Sequence, residues 1–202
     1  LLSLPTAVRF LAVMLATGAL AGCTSGPTDA RHDTSSALAD GPWGAEFAQA
    51  RDEGSLYERN VLADGVVTAA EVSDSHRRVQ TCMRDGGFDL EWTDENTYEV
   101  TTPDGSELTK DVDAALEKVR LACLDRWDHS ITYLFTETRR NPERQDEAKI
   151  TVACLRKSGL VGRDYTERKW RSENDTGVFS FDEYDPAATQ CRLDPLGLWR
   201  QG

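Results

Sequence analysis

The sequence predicts an α+β fold, mostly helical, built from two diverged repeats that each hold an internal disulfide and a short hairpin or strand. Three observations carry this prediction. Apolar residues recur at helical spacing in several stretches between residues 45 and 195. Between Phe88 and Val100 they alternate with polar residues around a turn signal. Finally, Cys82-Met83-Arg84-Asp85-Gly86-Gly87-Phe88 lines up with Cys154-Leu155-Arg156-Lys157-Ser158-Gly159-Leu160. The two share Cys, Arg and Gly at the same offsets, with apolar residues at the second and seventh places.

In chain order, Leu1 to Gly22 holds one charge, Arg9, then the apolar run Phe10 to Ala16 and small residues up to Cys23. This is the layout of a secretory signal peptide, and its apolar core is far shorter than the roughly 20 residues a spanning helix needs. Leu20-Ala21-Gly22-Cys23 resembles the lipobox of bacterial lipoproteins. The resemblance implies lipid transfer to the Cys23 thiol and cleavage after Gly22. It places the mature chain on the extracytoplasmic face of the cell membrane, held by its acyl chains. Without residues 1–22 the chain keeps 22 basic and 35 acidic side chains, a formal charge of −13. Such a surface repels nucleic acid and anionic headgroups, so lipid rather than charge must hold it at the membrane. From Cys23 to Gly44 the composition is that of a flexible tether, with a reach of about 25 Å. A single domain is expected over residues 45–202.

Phe47, Ala50, Gly54, Tyr57 and Val61 predict a helix over 45–62, weakened at Gly54. Asp64-Gly65 marks a turn. Thr68-Ala69-Ala70-Glu71 has the form of a capping box opening a helix whose buried stripe is Val72, Val79, Cys82 and Met83, closed by Gly86-Gly87. Phe88, Leu90 and Trp92, then Tyr98 and Val100, form the expected hairpin. Val112 to Trp127 is a further helix, followed by a short helical segment at 131–135. Asn141-Pro142 is read as the start of the next helix, with Ile150, Ala153, Cys154 and Leu155 facing inward up to Gly159. Residues 163–177 are read as a long polar loop, 178–181 as a short strand, and Asp185-Pro186 as the cap of the helix carrying Cys191.

With Cys23 assigned to lipid, four cysteines remain, an even number in an exported chain. Repeat one, about 68–127, would bridge Cys82 to Cys123, and repeat two, about 141–195, Cys154 to Cys191. Loops of about 40 residues each contribute roughly 4 kcal/mol in the chain-entropy picture. A zinc site is the rival use of these cysteines, but no C-x-x-C pair is present.

Leu62-Ala63-Asp64-Gly65-Val66-Val67-Thr68 with Glu71, C-M-R-x-x-G, Pro142-Glu143-Arg144-Gln145 and C-L-R-x-x-G together resemble a group of uncharacterised actinobacterial lipoproteins. The resemblance covers about residues 45–195. It implies an address and a cysteine pattern, and no catalytic residue.

Few residues suggest chemistry. Asp64 to Glu71 mimics the second half of a calcium-binding EF-hand loop, yet the third position of such a loop would be Leu62, which offers no oxygen. A turn followed by a capped helix explains the same residues. His32, His76 and His129 sit in no nucleophile or metal motif, although His129 with Asp125 and a serine would make an acid–base set. Asp182-Glu183-Tyr184-Asp185 would supply a glycosidase carboxylate pair. Trp92 and Trp127 fall on core stripes, whereas Trp170, between Lys169 and Arg171, is the expected exposed contact. No cofactor motif is found. The leading expectation is a lipid-anchored binding module for an envelope protein or wall component. A small envelope hydrolase working through carboxylates is the alternative.

Overall fold

The computed structural model of the chain describes residues 41–105 and 110–200. The lipobox residues Leu20, Ala21, Gly22 and Cys23, together with His32, lie outside them. Among the described residues are eight α-helices and one two-stranded antiparallel sheet. In order these are α1 (Gly44–Glu53), α2 (Leu56–Val61), a 3-10 turn (Leu62–Asp64), α3 (Ala69–Asp85), β1 (Asp89–Trp92), β2 (Tyr98–Thr101), α4 (Lys110–Trp127), α5 (Ile131–Arg140), α6 (Glu147–Lys157), α7 (Glu167–Thr176) and α8 (Pro186–Leu193). The fold is α+β and mostly helical, as the sequence predicts.

The helix expected over 45–62 is two helices. Its break falls at Gly54, where a side-chain Cβ would stand 2.5 Å from the Ala50 carbonyl oxygen. Ser55 then caps α2 in a capping box with Glu58. Glu58 is fully buried, and its other oxygen accepts the Ser130 N–H at 2.8 Å, so one carboxylate serves the starts of both α2 and α5. Trp43 and Gly44, expected at the end of a tether, belong to the folded structure. Trp43 is buried beside Phe47, and its indole N–H donates to the Asn141 carbonyl at 2.9 Å. An indole has too much apolar surface to leave in a solvated linker when a helix pair offers it a seat.

Repeat one opens on the predicted capping box: the Glu71 N–H donates to Thr68 Oγ1, and Glu71 Oε2 accepts the Thr68 N–H at 2.7 Å. Val72, Val79 and Met83 are buried along α3. The helix stops in a Schellman arrangement, in which the Phe88 N–H reaches the Met83 carbonyl at 3.0 Å and the Gly87 N–H the Arg84 carbonyl at 3.0 Å. Gly87 takes φ +89, a conformation that suits glycine. The hairpin pairs Leu90 with Val100 and Trp92 with Tyr98, and lays Phe88 and Leu90 on Val79, Met83 and Cys123. Cys82 and Cys123 are bonded.

Repeat two departs from expectation in four places. Asn141 ends α5 instead of starting α6: its side chain brackets Gln145, accepting that residue's N–H and donating to its carbonyl, both at 2.8 Å. An asparagine amide imitates a backbone turn this way, so the true cap falls at Asp146, whose carboxylate accepts the Lys149 N–H. Val152, not Ala153, joins Ile150 and Leu155 in the interior. The stretch 163–177 is largely helix α7, capped by Thr166 and closed by Gly177 at φ +67. No strand forms at 178–181. Asp185 and Pro186 do open α8, and Cys154 is bonded to Cys191.

Candidate functional site

Helix α7 places Trp170 differently from the loop reading. Its indole is half-buried against the core cluster of Val152, Leu155, Tyr165, Ala188 and Cys191 rather than free in solvent. Around it α6, α7, α8 and the 178–183 segment leave a cleft with apolar walls of Leu155, Trp170, Phe179, Phe181 and Ala188. Its enclosed space is about 70 Å³, suited to a single side chain rather than a large ligand. Glu147, Thr151, Asn174, Glu183 and Arg192 form the rim. Beside it Val178 is 70 % exposed and Tyr184 84 % exposed. Apolar and aromatic side chains thus line the cleft, and two exposed ones, Val178 and Tyr184, adjoin its lining residues Phe179 and Glu183 in the chain.

The rim is held in place by Arg140, a buried guanidinium at the junction of the repeats. It donates to both oxygens of Glu147, at 2.6 and 2.9 Å, and to the Arg192 carbonyl at 2.9 Å. Arg171 pairs with Asp146 at 2.5 Å and ties α7 to the start of α6. Arg156, from the repeated heptapeptide, gathers the chain between α6 and α7 by donating to the carbonyls of Arg163 and Tyr165.

A second polar cluster lies in repeat one. His76 Nε2 is 3.0 Å from Thr132 Oγ1, and that hydroxyl is 2.7 Å from Asp128 Oδ2. The imidazole stacks on Trp92 with centroids 3.6 Å apart. Burial lowers His76 to about 4, against a raising influence of Glu95. Burial also lifts Asp128 to about 6, against the hydrogen bonds from Thr132 and Ser75. At neutral pH the ring is therefore uncharged, and its 3.6 Å approach to the carboxylate is a dipolar contact rather than an ion pair. Asp128 also accepts the Thr132 N–H at 2.9 Å, so this carboxylate is spent on the first turn of α5.

The remaining sequence candidates are taken up structurally. Glu71 is engaged in its capping box, and Asp64 accepts the Val66 N–H. Asp182 and Asp185 accept the N–H groups of Tyr184 and Ala187, holding a turn and the start of α8. His129 meets Asp125 at 3.3 Å on an exposed helix end. Trp92 and Trp127 pack on the repeat-one core, and Trp199 on Phe135. No group of three His, Cys, Asp or Glu side chains among the described residues is arranged to hold a metal. No helix among them is long and apolar enough to cross a membrane. Sequence reasoning missed the Arg140 junction, Glu58 and the Phe179–Phe181 wall. An arginine followed seven residues later by a glutamate across Asn-Pro gives little warning that the two will pair. Compared with known proteins, the chain matches no family model, no curated protein and no solved structure.

Proposed function

We propose that this chain is an extracytoplasmic lipoprotein, anchored through lipid on Cys23, whose domain is a binding module of the cell envelope. The cleft of repeat two takes an apolar side chain of a protein partner. The observation that carries the reading is the Trp170–Phe179–Phe181 wall with Val178 and Tyr184 exposed at its edge. Aromatic side chains around a concave seat are the usual anchor points of a protein interface. Glu183 in the lining and Asp182 beside it in the chain outnumber the one lining arginine, Arg192, and favour an anchor flanked by Lys or Arg.

The test is a titration of full-length protein with short peptides of the form Lys-Phe-Lys and Lys-Ala-Lys, read at the Trp170 indole N–H resonance. Saturable shifts with the first peptide, about tenfold weaker with the second and lost in Phe179→Ala, which keeps the Trp170 reporter, are expected. Equal response to both peptides would remove the cleft from the proposal. For the anchor, Cys23→Ala should release the protein from membranes; full retention would count against the lipid.

A further inference from the structure

We propose that the groove between α3 and α4 of repeat one binds a small phosphate-bearing ligand, gripped by Arg77, Arg78 and Arg126. This site is separate from the cleft of repeat two. The chain as a whole carries a net charge of −12, whereas this groove is lined by three arginines and one carboxylate, Asp85. The groove is open to solvent and holds about 620 Å³ of space, against about 70 Å³ in the cleft of repeat two.

The arginines are positioned rather than merely present. Arg78 Nε donates to Asp74 Oδ2 at 2.7 Å, and its guanidinium carbon lies 4.5 Å from the Tyr57 ring centroid and 5.0 Å from that of Trp127. Arg126 lies 4.7 Å from the same Trp127 ring and has no carboxylate partner among the described residues. Arg77 holds the other oxygen of Asp74 at 2.5 Å. Tyr57 donates its hydroxyl to that carboxylate at 2.9 Å, so the two neighbouring arginines share one fixed acceptor. A guanidinium has five N–H donors, and these bonds use few of them. Unspent donors on three planar forks, two of them held in place over the Trp127 ring, are what a phosphate group needs.

The surroundings limit the ligand's size. Asp85 lies on the same groove, seven residues beyond Arg78, roughly 10 Å along the helix. Asp125 precedes Arg126 and is exposed. A planar anionic bilayer or a long polyanion would press its charges against both acids, whereas a compact phosphomonoester at Arg77 and Arg78 stands roughly 10 Å from Asp85.

The experiment is isothermal titration of the full-length protein with glycerol 3-phosphate, inorganic phosphate and glycerol, beside sedimentation with phosphatidylglycerol vesicles using Cys23→Ser protein. Saturable binding of glycerol 3-phosphate and of inorganic phosphate is expected, absent for glycerol, and reduced roughly tenfold when salt rises from about 20 to about 300 mM and the Debye length falls from about 20 Å to about 6 Å. Arg126→Gln, an exposed substitution, should weaken binding about tenfold with an unchanged melting curve. Arg78→Gln should weaken it further, but also touches the packing of Tyr57 and Trp127. No saturable binding, or an Arg126→Gln protein that binds as well as the parent, would overturn the proposal. Vesicle binding without soluble phosphate binding would overturn it too, in favour of a membrane contact.

Discussion

The two repeats end their first helices in the same way and then diverge. At Gly87 and at Gly159 the backbone turns left-handed, and the next residue's N–H returns to the carbonyl five positions back, Phe88 to Met83 and Leu160 to Leu155. In both, the cysteine one residue before that carbonyl bonds to a later helix. The repeated C-x-R-x-x-G is therefore a helix stop with a staple beside it. What lies between stop and return helix differs. A hairpin in repeat one supplies Phe88, Leu90, Trp92 and Tyr98 and fills the space, whereas in repeat two α7 offers one tryptophan and leaves a cleft. The difference teaches that local backbone chemistry sets the frame, while the filler decides whether the interior is closed or open to a guest.

Removing the staples separates frame from filler most strongly. The bridges span 41 and 37 residues, so chain entropy predicts nearly equal losses of about 4 kcal/mol for Cys82→Ser/Cys123→Ser and for Cys154→Ser/Cys191→Ser. The local consequences should differ. Helix α4 remains held by the hairpin and its packed side chains, but α8 buries little besides Ala188 and Cys191. Urea unfolding should show similar losses for the two pairs. Hydrogen exchange should show α8 unprotected in the second pair and α4 still protected in the first. Equal local protection would break the contrast between a filled and an open repeat.

A smaller effect tests the polar cluster, which only repeat one has: at the offset of His76 from its cysteine, repeat two carries the buried Ala148. His76 falls to about 4 on folding from 6.5, so the unfolded chain takes up a proton first and stability is lost as pH falls from 6.5 to 4. Asp128 rises to about 6 from 3.8, so the folded chain takes up the proton first and stability is gained as pH falls from 6 to 4. The opposed slopes nearly cancel in the parent protein. His76→Gln should leave a protein that stabilises on acidification, and Asp128→Asn one that destabilises. Each change should be at most about 3 kcal/mol across the window, read from denaturant midpoints between pH 4 and 7. Slopes of the same sign in both variants would show that the pair does not titrate as described.

The frame was legible in the sequence because its signals are local. Thr68 with Glu71, Gly87 and Gly159 after their cysteines, and Asp185-Pro186 act within a turn of themselves, and the paired heptapeptides led to both disulfides. The cleft was not legible. Helix α7 contains one apolar residue, Trp170, so no stripe announced it. Its signals were the Thr166 cap, a Lys169–Glu173 pair one turn apart and Gly177, each common in loops as well. Asn141-Pro142 misled for a related reason, since an asparagine before proline caps a helix or brackets a turn with the same side-chain atoms. The Arg140 junction and the arginine groove join residues from separate helices, and periodicity within one helix carries no information about its neighbour.

The smallest expected effect is also the cleanest test of equivalence between the repeats. Gly87 and Gly159 have φ of +89 and +76, and a Cβ built at either meets nothing within 4 Å. Alanine at these positions therefore costs only the left-handed backbone, about 1 kcal/mol, without a packing contribution. Gly87→Ala and Gly159→Ala should lower stability by the same amount within error, although one precedes a hairpin and the other a helix. Asparagine should recover part of the loss at both sites, because its side chain tolerates the left-handed region. If Gly159→Ala cost much less than Gly87→Ala, the chain after α6 would be relaxing into another turn. The helix stop of repeat two would then depend on Arg156 and its grip on the Arg163 and Tyr165 carbonyls rather than on the glycine.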